Sequence, residues 1–404
     1  MGATSNKRQE YWPSLFQFLC GTGQAGSLSH YQNVTAIDAA HFLAIIGGTN
    51  PMNSNPLRIG VLGAAGILRK KNWQAIQCSG NAIIAAMATR DPARTRQFIT
   101  ERQAEAPFPV TPQVHDSYEA LLGDKSIEAV YLPLPTALRK EWVIRAAEAG
   151  KHVIGEKPSA VSAADLREML DACRRHRVQF MDGVMFMHNP RLERLRAVID
   201  DQERIGPVRR ITSVFSFLGT GDFNERNIRT QAALEPLGCL GDLGWYPLRF
   251  ALWVMRWQLP RRVSGRILAG GTDSAPLDFS GELYFDGGAS AGFHCSFLAM
   301  NQQWANISGA NGSVRAPDFV LPNSDTDVAW EVNYKPVRTA ETGLYLETPT
   351  TALSQEALMF RNFANQVHSG ALNEEWFDSA LKTQQVTDAC MASARAGGKM
   401  VEAG

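Results

Sequence analysis

The stretch Leu57-Arg58-Ile59-Gly60-Val61-Leu62-Gly63-Ala64-Ala65-Gly66-Ile67-Leu68 decides the fold. Its first six residues read as a short apolar strand, and a glycine turn comes directly off that strand into a helical pattern. A helix N-terminus placed this way offers unpaired N–H groups to a pyrophosphate. Gly63 supplies the tight turn, Ala65 is small enough for close backbone approach, and Gly66 loosens the turn further. The third glycine position holds Leu68, so helix and strand are expected to pack slightly further apart there. Gly63, Ala65, Gly66 and Ile67 become candidate cofactor contacts.

A perfect G-x-G-x-x-G stands earlier, at Gly21-Thr22-Gly23-Gln24-Ala25-Gly26. The next residues, Ser27 to Asn33, carry no helical apolar stripe, and a phosphate loop without its helix lacks the binding physics. It is read as a flexible glycine loop. Residues 1–55 form an appendage outside the main pattern. They end in a linker-like run from Gly47 to Pro56 that also offers Met52 as an alternative start.

Outward from Leu57, strands and helices alternate. Asn81–Ala88, Ile127–Leu132 and His152–Gly155 are continuous apolar runs, as in strands buried on both faces of a parallel sheet. Arg139–Ala149 reads as a helix with Trp142, Ala146 and Ala149 inward, stopped by Gly150. Ser162–Arg175 reads as another, with Ser162 as N-cap and a stripe of Leu166, Met169, Leu170 and Cys173. The expected fold class is α/β: a doubly wound Rossmann domain over 57–182, then a second α/β domain over 183–404. In the second domain, Val208–Phe217, Arg262–Leu268, Phe279–Phe285 and Ala289–Leu298 read as strands. Hairpins are expected at Asp286-Gly287 and Asn311-Gly312. This reads as an antiparallel sheet, with a helix inserted around Leu243–Val254 and helices returning at Gln355–His368 and Asp378–Ala396.

The chain has 404 residues with 40 Lys+Arg and 40 Asp+Glu, so its formal net charge is zero. That balance argues against nucleic acid or anionic membrane as a partner. No apolar run approaches the ~18 residues of a membrane span. The six cysteines are scattered singly, as expected for reduced thiols in the cytoplasm. The histidines show no ligand spacing, so no metal is expected.

The second strand ends in Ala88-Thr89-Arg90-Asp91, where an acidic residue would hold a ribose 2′-OH. A hydroxyl and a guanidinium at that tip favour a 2′-phosphate, hence NADP over NAD. Asp91 on the ribose, with Arg90 starting the next helix, is the alternative.

Three further segments form a constellation: Gly155-Glu156-Lys157-Pro158; the run Met181 to Arg191; and Asn227-Ile228-Arg229 followed by Gly241-Asp242-Leu243-Gly244-Trp245-Tyr246-Pro247. With the turn at Gly60–Ile67, their order and spacing closely resemble the Gfo/Idh/MocA oxidoreductase family, over residues 57 to about 395. The D-x-G-x-Y form at Asp242, Gly244 and Tyr246 is similar to the branch of dimeric dihydrodiol dehydrogenases, NADP-dependent xylose dehydrogenases and ketosugar reductases. The resemblance implies hydride transfer between NADP (or NAD) and a hydroxyl or keto group of a sugar, polyol or related diol. It also implies that residues 183–404 form a substrate-binding and dimerisation domain with a large open, mostly antiparallel sheet, and that a homo-oligomer forms through that sheet. Relatives often carry histidine just after a proline-rich loop; here Pro133 to Leu138 leads to Arg139 instead.

Lys157 sits at the carboxyl end of a parallel strand, where doubly wound sheets bind ligands. It is the candidate proton donor and acceptor, with a pKa drawn toward the working range by burial and a nicotinamide cation. Pro158 fixes its turn, with a cis bond as one form. Tyr246 is the second donor. Asp242, four residues earlier, lies on the same helix face and holds Lys157 or a substrate hydroxyl. Glu156 positions Lys157 or the nicotinamide ribose, and Pro133 joins the cofactor contacts. Asp182, His188, Asn189 and Arg229 are candidate substrate contacts. A dihydrodiol or dicarbonyl substrate is the first alternative; a non-catalytic nucleotide-sensing regulator on the same fold is the second.

Overall fold

The computed structural model describes residues 55–270, 274–322, 329–333, 335–338 and 353–403. The glycine loop at 21–26, the appendage and Cys20 lie outside the described residues. From Leu57 the chain builds β1 (Leu57–Leu62), α1 (Trp73–Ser79), β2 (Ala82–Ala88), α2 (Pro92–Glu105), β3 (Gln113–His115), α3 (Tyr118–Gly123), β4 (Ala129–Leu132), α4 (Thr136–Glu148), β5 (His152–Gly155), α5 (Ala163–Arg175) and β6 (Phe180–Asp182). These strands form a parallel sheet in the order β3-β2-β1-β4-β5-β6. Its central strands are mostly apolar because alternate side chains enter different cores. In β4, Ala129 and Tyr131 join one buried cluster, while Val130 and Leu132 join the other.

The chain continues through α6 (Arg191–Ile199), β7 (Val208–Ser216), α7 (Trp245–Val254), β8 (Arg262–Ala269), β9 (Asp278–Tyr284), β10 (Ser290–Ser296), β11 (Ala305–Gly309), β12 (Ser313–Ala316), β13 (Ala329–Val332), β14 (Lys335–Arg338), α8 (Gln355–His368), α9 (Glu374–Arg395) and β15 (Val401–Glu402). Among the described residues the second sheet runs β14-β13-β12-β11-β7-β10-β9-β8-β15, antiparallel except where β7 meets β10. The Asp286-Gly287 turn joins β9 to β10 as expected, with Gly287 at φ +79°. One face of this sheet is covered by α7 and α9. Gly265 lets α9 come that close: a Cβ there would lie 2.4 Å from the carbonyl oxygen of Cys390. Among the described residues the other face is open and polar, carrying Thr212, Ser264, Ser280 and His294. It also carries an Arg210–Glu282 ion pair, whose second bond measures 3.0 Å.

Two local readings differ in the structure. The helix expected over Arg139–Ala149 begins at Thr136 and buries Arg139, Val143, Ala146 and Ala147, leaving Ala149 exposed. Its start is fixed from afar: the Glu235 carboxylate accepts from the Thr136 N–H at 3.0 Å and from its hydroxyl at 2.5 Å. Where a regular helix is expected to leave the β1 turn, the chain forms a π-turn over Leu68–Asn72 leading into α1, with Leu68 fully buried. A second π-turn, Leu240–Gly244, precedes α7. Ser162 caps α5 as read, accepting from the Asp165 N–H at 3.1 Å, and the stripe from Leu166 to Cys173 is buried.

Candidate active site

A cleft of about 720 Å³ opens at the carboxyl edge of the parallel sheet. One wall is the turn after β1, which contributes Ala65, Gly66 and Ile67. The floor is Pro133 and the Glu156-Lys157-Pro158 turn, and the far wall carries Arg229, Asp242 and Tyr246. Gly63 holds the β1 turn at φ +108°, and its N–H donates to Ala88 O at 2.8 Å, so the tips of β1 and β2 lie side by side.

The Lys157–Pro158 peptide bond is cis. Lys157 is only 11 % exposed, and its ammonium donates to the Asp242 carbonyl and to Asp242 Oδ1, both at 2.6 Å. It also lies 5.0 Å from the centre of the Tyr246 ring, on its face. The other carboxylate oxygen of Asp242 accepts from Arg229 Nε at 3.0 Å. Burial pushes the Asp242 carboxyl up, but Lys157 and Arg229 outweigh it and hold the group below the ordinary carboxylate range. Asp242 is therefore an anion between two cations.

Burial, then Asp242 and Glu156, push the Tyr246 phenol well above its usual range, so it stays protonated and able to donate. Among the described residues its hydroxyl bonds only a thioether, Met185 Sδ at 3.7 Å. A thioether is a weak acceptor, which leaves the donor available to a stronger one. Phe215 packs edge-on against the same ring at 5.3 Å.

Glu156 turns away from Lys157. Its Oε1 accepts from Tyr131 Oη at 2.5 Å and from Asn72 Nδ2 at 3.3 Å, and its carboxylate fills the space beside Gly183. Asn72 reaches this carboxylate from the π-turn before α1, a shape no spacing rule announces. Tyr131 is visible in the sequence as the one hydroxyl in an aliphatic run. Arg139 is buried against this floor.

The remaining sequence candidates separate into two groups. Thr89 and Arg90 follow Ala88 at the β2 tip. Thr89 Oγ1 binds within its own turn, to Asp91 O at 2.9 Å and Thr95 Oγ1 at 2.6 Å. Asp91 caps α2 by accepting from the Arg94 N–H at 3.0 Å, while Arg90 is exposed. Asp182, His188 and Asn189 are not brought to the cleft. Asp182 and His188 line a separate cavity of about 410 Å³ behind it. The Val184–His188 segment divides the two: Met185 faces the cleft, Met187 and His188 the cavity. Asp182 is ion-paired with buried Arg249. His188 bonds Asn362 at 3.2 Å and meets the Trp376 ring edge-on at 5.8 Å. Burial, helped by Arg249, pulls its imidazole down to about 4, so it is neutral at working pH. Asn189 stands just before α6, where its Oδ1 accepts from the Arg191 N–H at 3.0 Å. Among the described residues no cluster of His, Cys, Asp or Glu could hold a metal, and no helix is long and apolar enough to cross a membrane.

Two family models match this chain. One, described as an oxidoreductase family with an NAD-binding Rossmann fold, covers residues 57–184. The other, the GFO/IDH/MocA C-terminal domain, covers residues 192–315. The chain is 30% identical to a D-xylose 1-dehydrogenase (NADP(+)) of Haloferax volcanii, over 84% of this chain and 98% of that protein. It is 28% identical to a dTDP-3,4-didehydro-2,6-dideoxy-alpha-D-glucose 3-reductase of Actinomadura kijaniata, over 86% and 98%. Among solved structures, the 3-ketoreductase KijD10 of Actinomadura kijaniata with NADP and TDP-benzene superposes with a TM-score of 0.72. It is 23% identical, over 84% of this chain and 98% of that one.

Proposed function

Because the chain belongs to the GFO/IDH/MocA family of NAD(P)-dependent oxidoreductases, we propose that it transfers hydride between NADP(H) and a hydroxyl or keto group of a sugar, polyol or related diol. The observation that carries this reading is the Lys157 ammonium, buried in the cleft, bonded to Asp242 and resting on Tyr246.

The residues present fit a dinucleotide. The β1 turn has room for a close ligand, since a Cβ on Gly66 would meet nothing within 4 Å. Gly63, Ala65, Gly66 and Ile67 would hold the pyrophosphate at the helix start, and Thr89 and Arg90 would take the 2′-phosphate. Asp91 is committed to its cap, which favours a phosphate at Arg90 over a bare ribose at Asp91. When bound, the nicotinamide supplies or accepts the hydride.

In reduction, Lys157 gives a proton to the substrate oxygen as its carbon gains hydride, and becomes a neutral amine. In oxidation, the amine takes the hydroxyl proton. Tyr246 orients the same oxygen, and Asp242 holds Lys157 in place with help from Arg229. Glu156 braces the turn through Tyr131 and Asn72. The substrate groups fall to Arg229 rather than to Asp182, His188 or Asn189. A ring-bearing diol is the second reading, favoured by Phe215 and Phe217 in the cleft and by half-exposed Ile228 at its mouth.

NADPH and NADH fluorescence titrations with a sugar and diol panel test the reading. Arg90→Ala is expected to weaken NADPH binding about 10–100-fold, the worth of charge-assisted bonds to phosphate, with NADH binding unchanged. Wild-type NADH binding as tight as NADPH would remove the NADP assignment.

The open polar face of the second sheet supports a homodimer. Ser280→Arg, at its centre, is expected to move the protein to monomer in sedimentation without loss of fold; a wild-type monomer would refute this. The free thiols of Cys78, Cys173, Cys239, Cys295 and Cys390 support a reducing compartment, the cytoplasm.

A further inference from the structure

We infer that Arg139 is the positioning residue of this site, the group that fixes the turn carrying Lys157; the inference rests on the hydride-transfer reading above. Arg139 projects from the first turn of α4 and is 3 % exposed. A buried cation is costly unless its donors are met. Here Nε donates to Leu134 O at 2.8 Å, and one terminal nitrogen donates to Glu156 O at 2.6 Å and to Pro158 O.

The three carbonyls belong to two loops. Leu134 lies after β4; Glu156 and Pro158 stand on either side of Lys157. Among the described residues no backbone N–H outside helices and strands reaches any of the three oxygens. The guanidinium thus supplies the donors that this floor lacks, and ties both loops to one rigid plane. Burial pulls its pKa down, while Glu235, Glu156, Tyr131 and Asp242 push it back, so carboxylates surround the charge. It makes no use of Lys157 itself. Its bonds grip the main chain on both flanks of the lysine and leave the ammonium to Asp242.

Arginine suits the task by shape. Its fork offers five N–H donors in one plane; an imidazolium offers two, and a lysine ammonium is a compact point that cannot span separate loops. Displacing an acid–base group by about 1 Å costs about 100-fold in rate.

The test compares wild type with Arg139→Ala, Arg139→Lys and Arg139→His. It measures kcat, NADPH affinity, melting temperature and the 13C-methyl lysine resonance of position 157, with and without guanidinium at non-denaturing concentration. For Arg139→Ala, kcat is expected to fall about 100-fold and the lysine resonance to move, with NADPH affinity within a few-fold of wild type. Guanidinium, entering from the cleft, is expected to restore much of both; neither Lys nor His at 139 is expected to substitute. Unchanged kcat with an unmoved lysine resonance overturns the inference. So does a loss of kcat matched by lost NADPH affinity and lower melting temperature, without rescue, because that is a purely structural role. A wild type that turns over nothing on the panel defeats the functional reading instead, and the lysine resonance then still decides the role of Arg139.

Discussion

Lys157→Met is expected to lower kcat by about 10²–10⁴-fold, the range for removal of a general acid–base, while NADPH binding stays within a few-fold of wild type. The split arises from where the ammonium stands. It bonds Asp242 and caps the Tyr246 face, at the far side of the cleft from the β1 turn that would hold the phosphates. Methionine keeps the stem volume and removes the proton. Asp242 does not become an unpaired buried anion, because Arg229 still holds its other oxygen at 3.0 Å. The substitution is therefore expected to fold. Steady-state rates on a responsive substrate, with cofactor fluorescence on the same sample, give the answer. Retained turnover would remove Lys157 from the mechanism. A wild type that binds NADPH but turns over no member of a broad polyol panel would point to the nucleotide-sensing regulator.

The second large effect is on stability. Asp182→Ala is expected to cost about 3–5 kcal/mol, the penalty for leaving one member of a buried ion pair behind. The Arg249 and Asp182 side chains are 3 % and 5 % exposed, and after the loss Arg249 keeps Thr383 Oγ1, at 2.6 Å, as its side-chain hydrogen-bond partner among the described residues. Because the pair lies behind the cleft, KM and kcat per folded molecule are expected to change little. Denaturant unfolding measures the first quantity and kinetics at low temperature the second. The double substitution Asp182→Leu with Arg249→Met should recover most of the loss, since an apolar pair of similar volume carries no desolvation cost. If Asp182→Ala instead raised KM and left the unfolding midpoint unmoved, Asp182 would be a substrate contact after all.

Asp182 and Lys157 look alike in the sequence and part company in space. The parallel sheet was legible because its strands are apolar on both faces, and alternate residues such as Tyr131 and Val130 fill separate cores. Lys157 was legible because a strand end is a fixed place. Asp182 also ends a strand, but the subsequent 3₁₀ turn Met185–His188 sends Met185 to one side and His188 to the other. Nothing in residue spacing fixes that rotation. Asn72 depends on a π-turn, which has no sequence rule. The cap on Thr136 comes from Glu235, 99 residues away. Arg139 was visible only as a charge where a histidine was expected, because its three acceptors are main-chain oxygens that look alike in any sequence.

The last two long helices return to the first half of the molecule: α8 packs on α1, and α9 on α5 as well as on β8. Asp388 accepts from the Ala163 N–H at 2.6 Å, and Asn373 N–H donates to Gln179 at 2.7 Å. A gene graft that exchanges the cofactor half between homologous enzymes at a single crossover after Asp182 would therefore sever these seams. Such a hybrid keeps its seams only where α9 matches both halves, because the same helix that clasps α5 also covers β8.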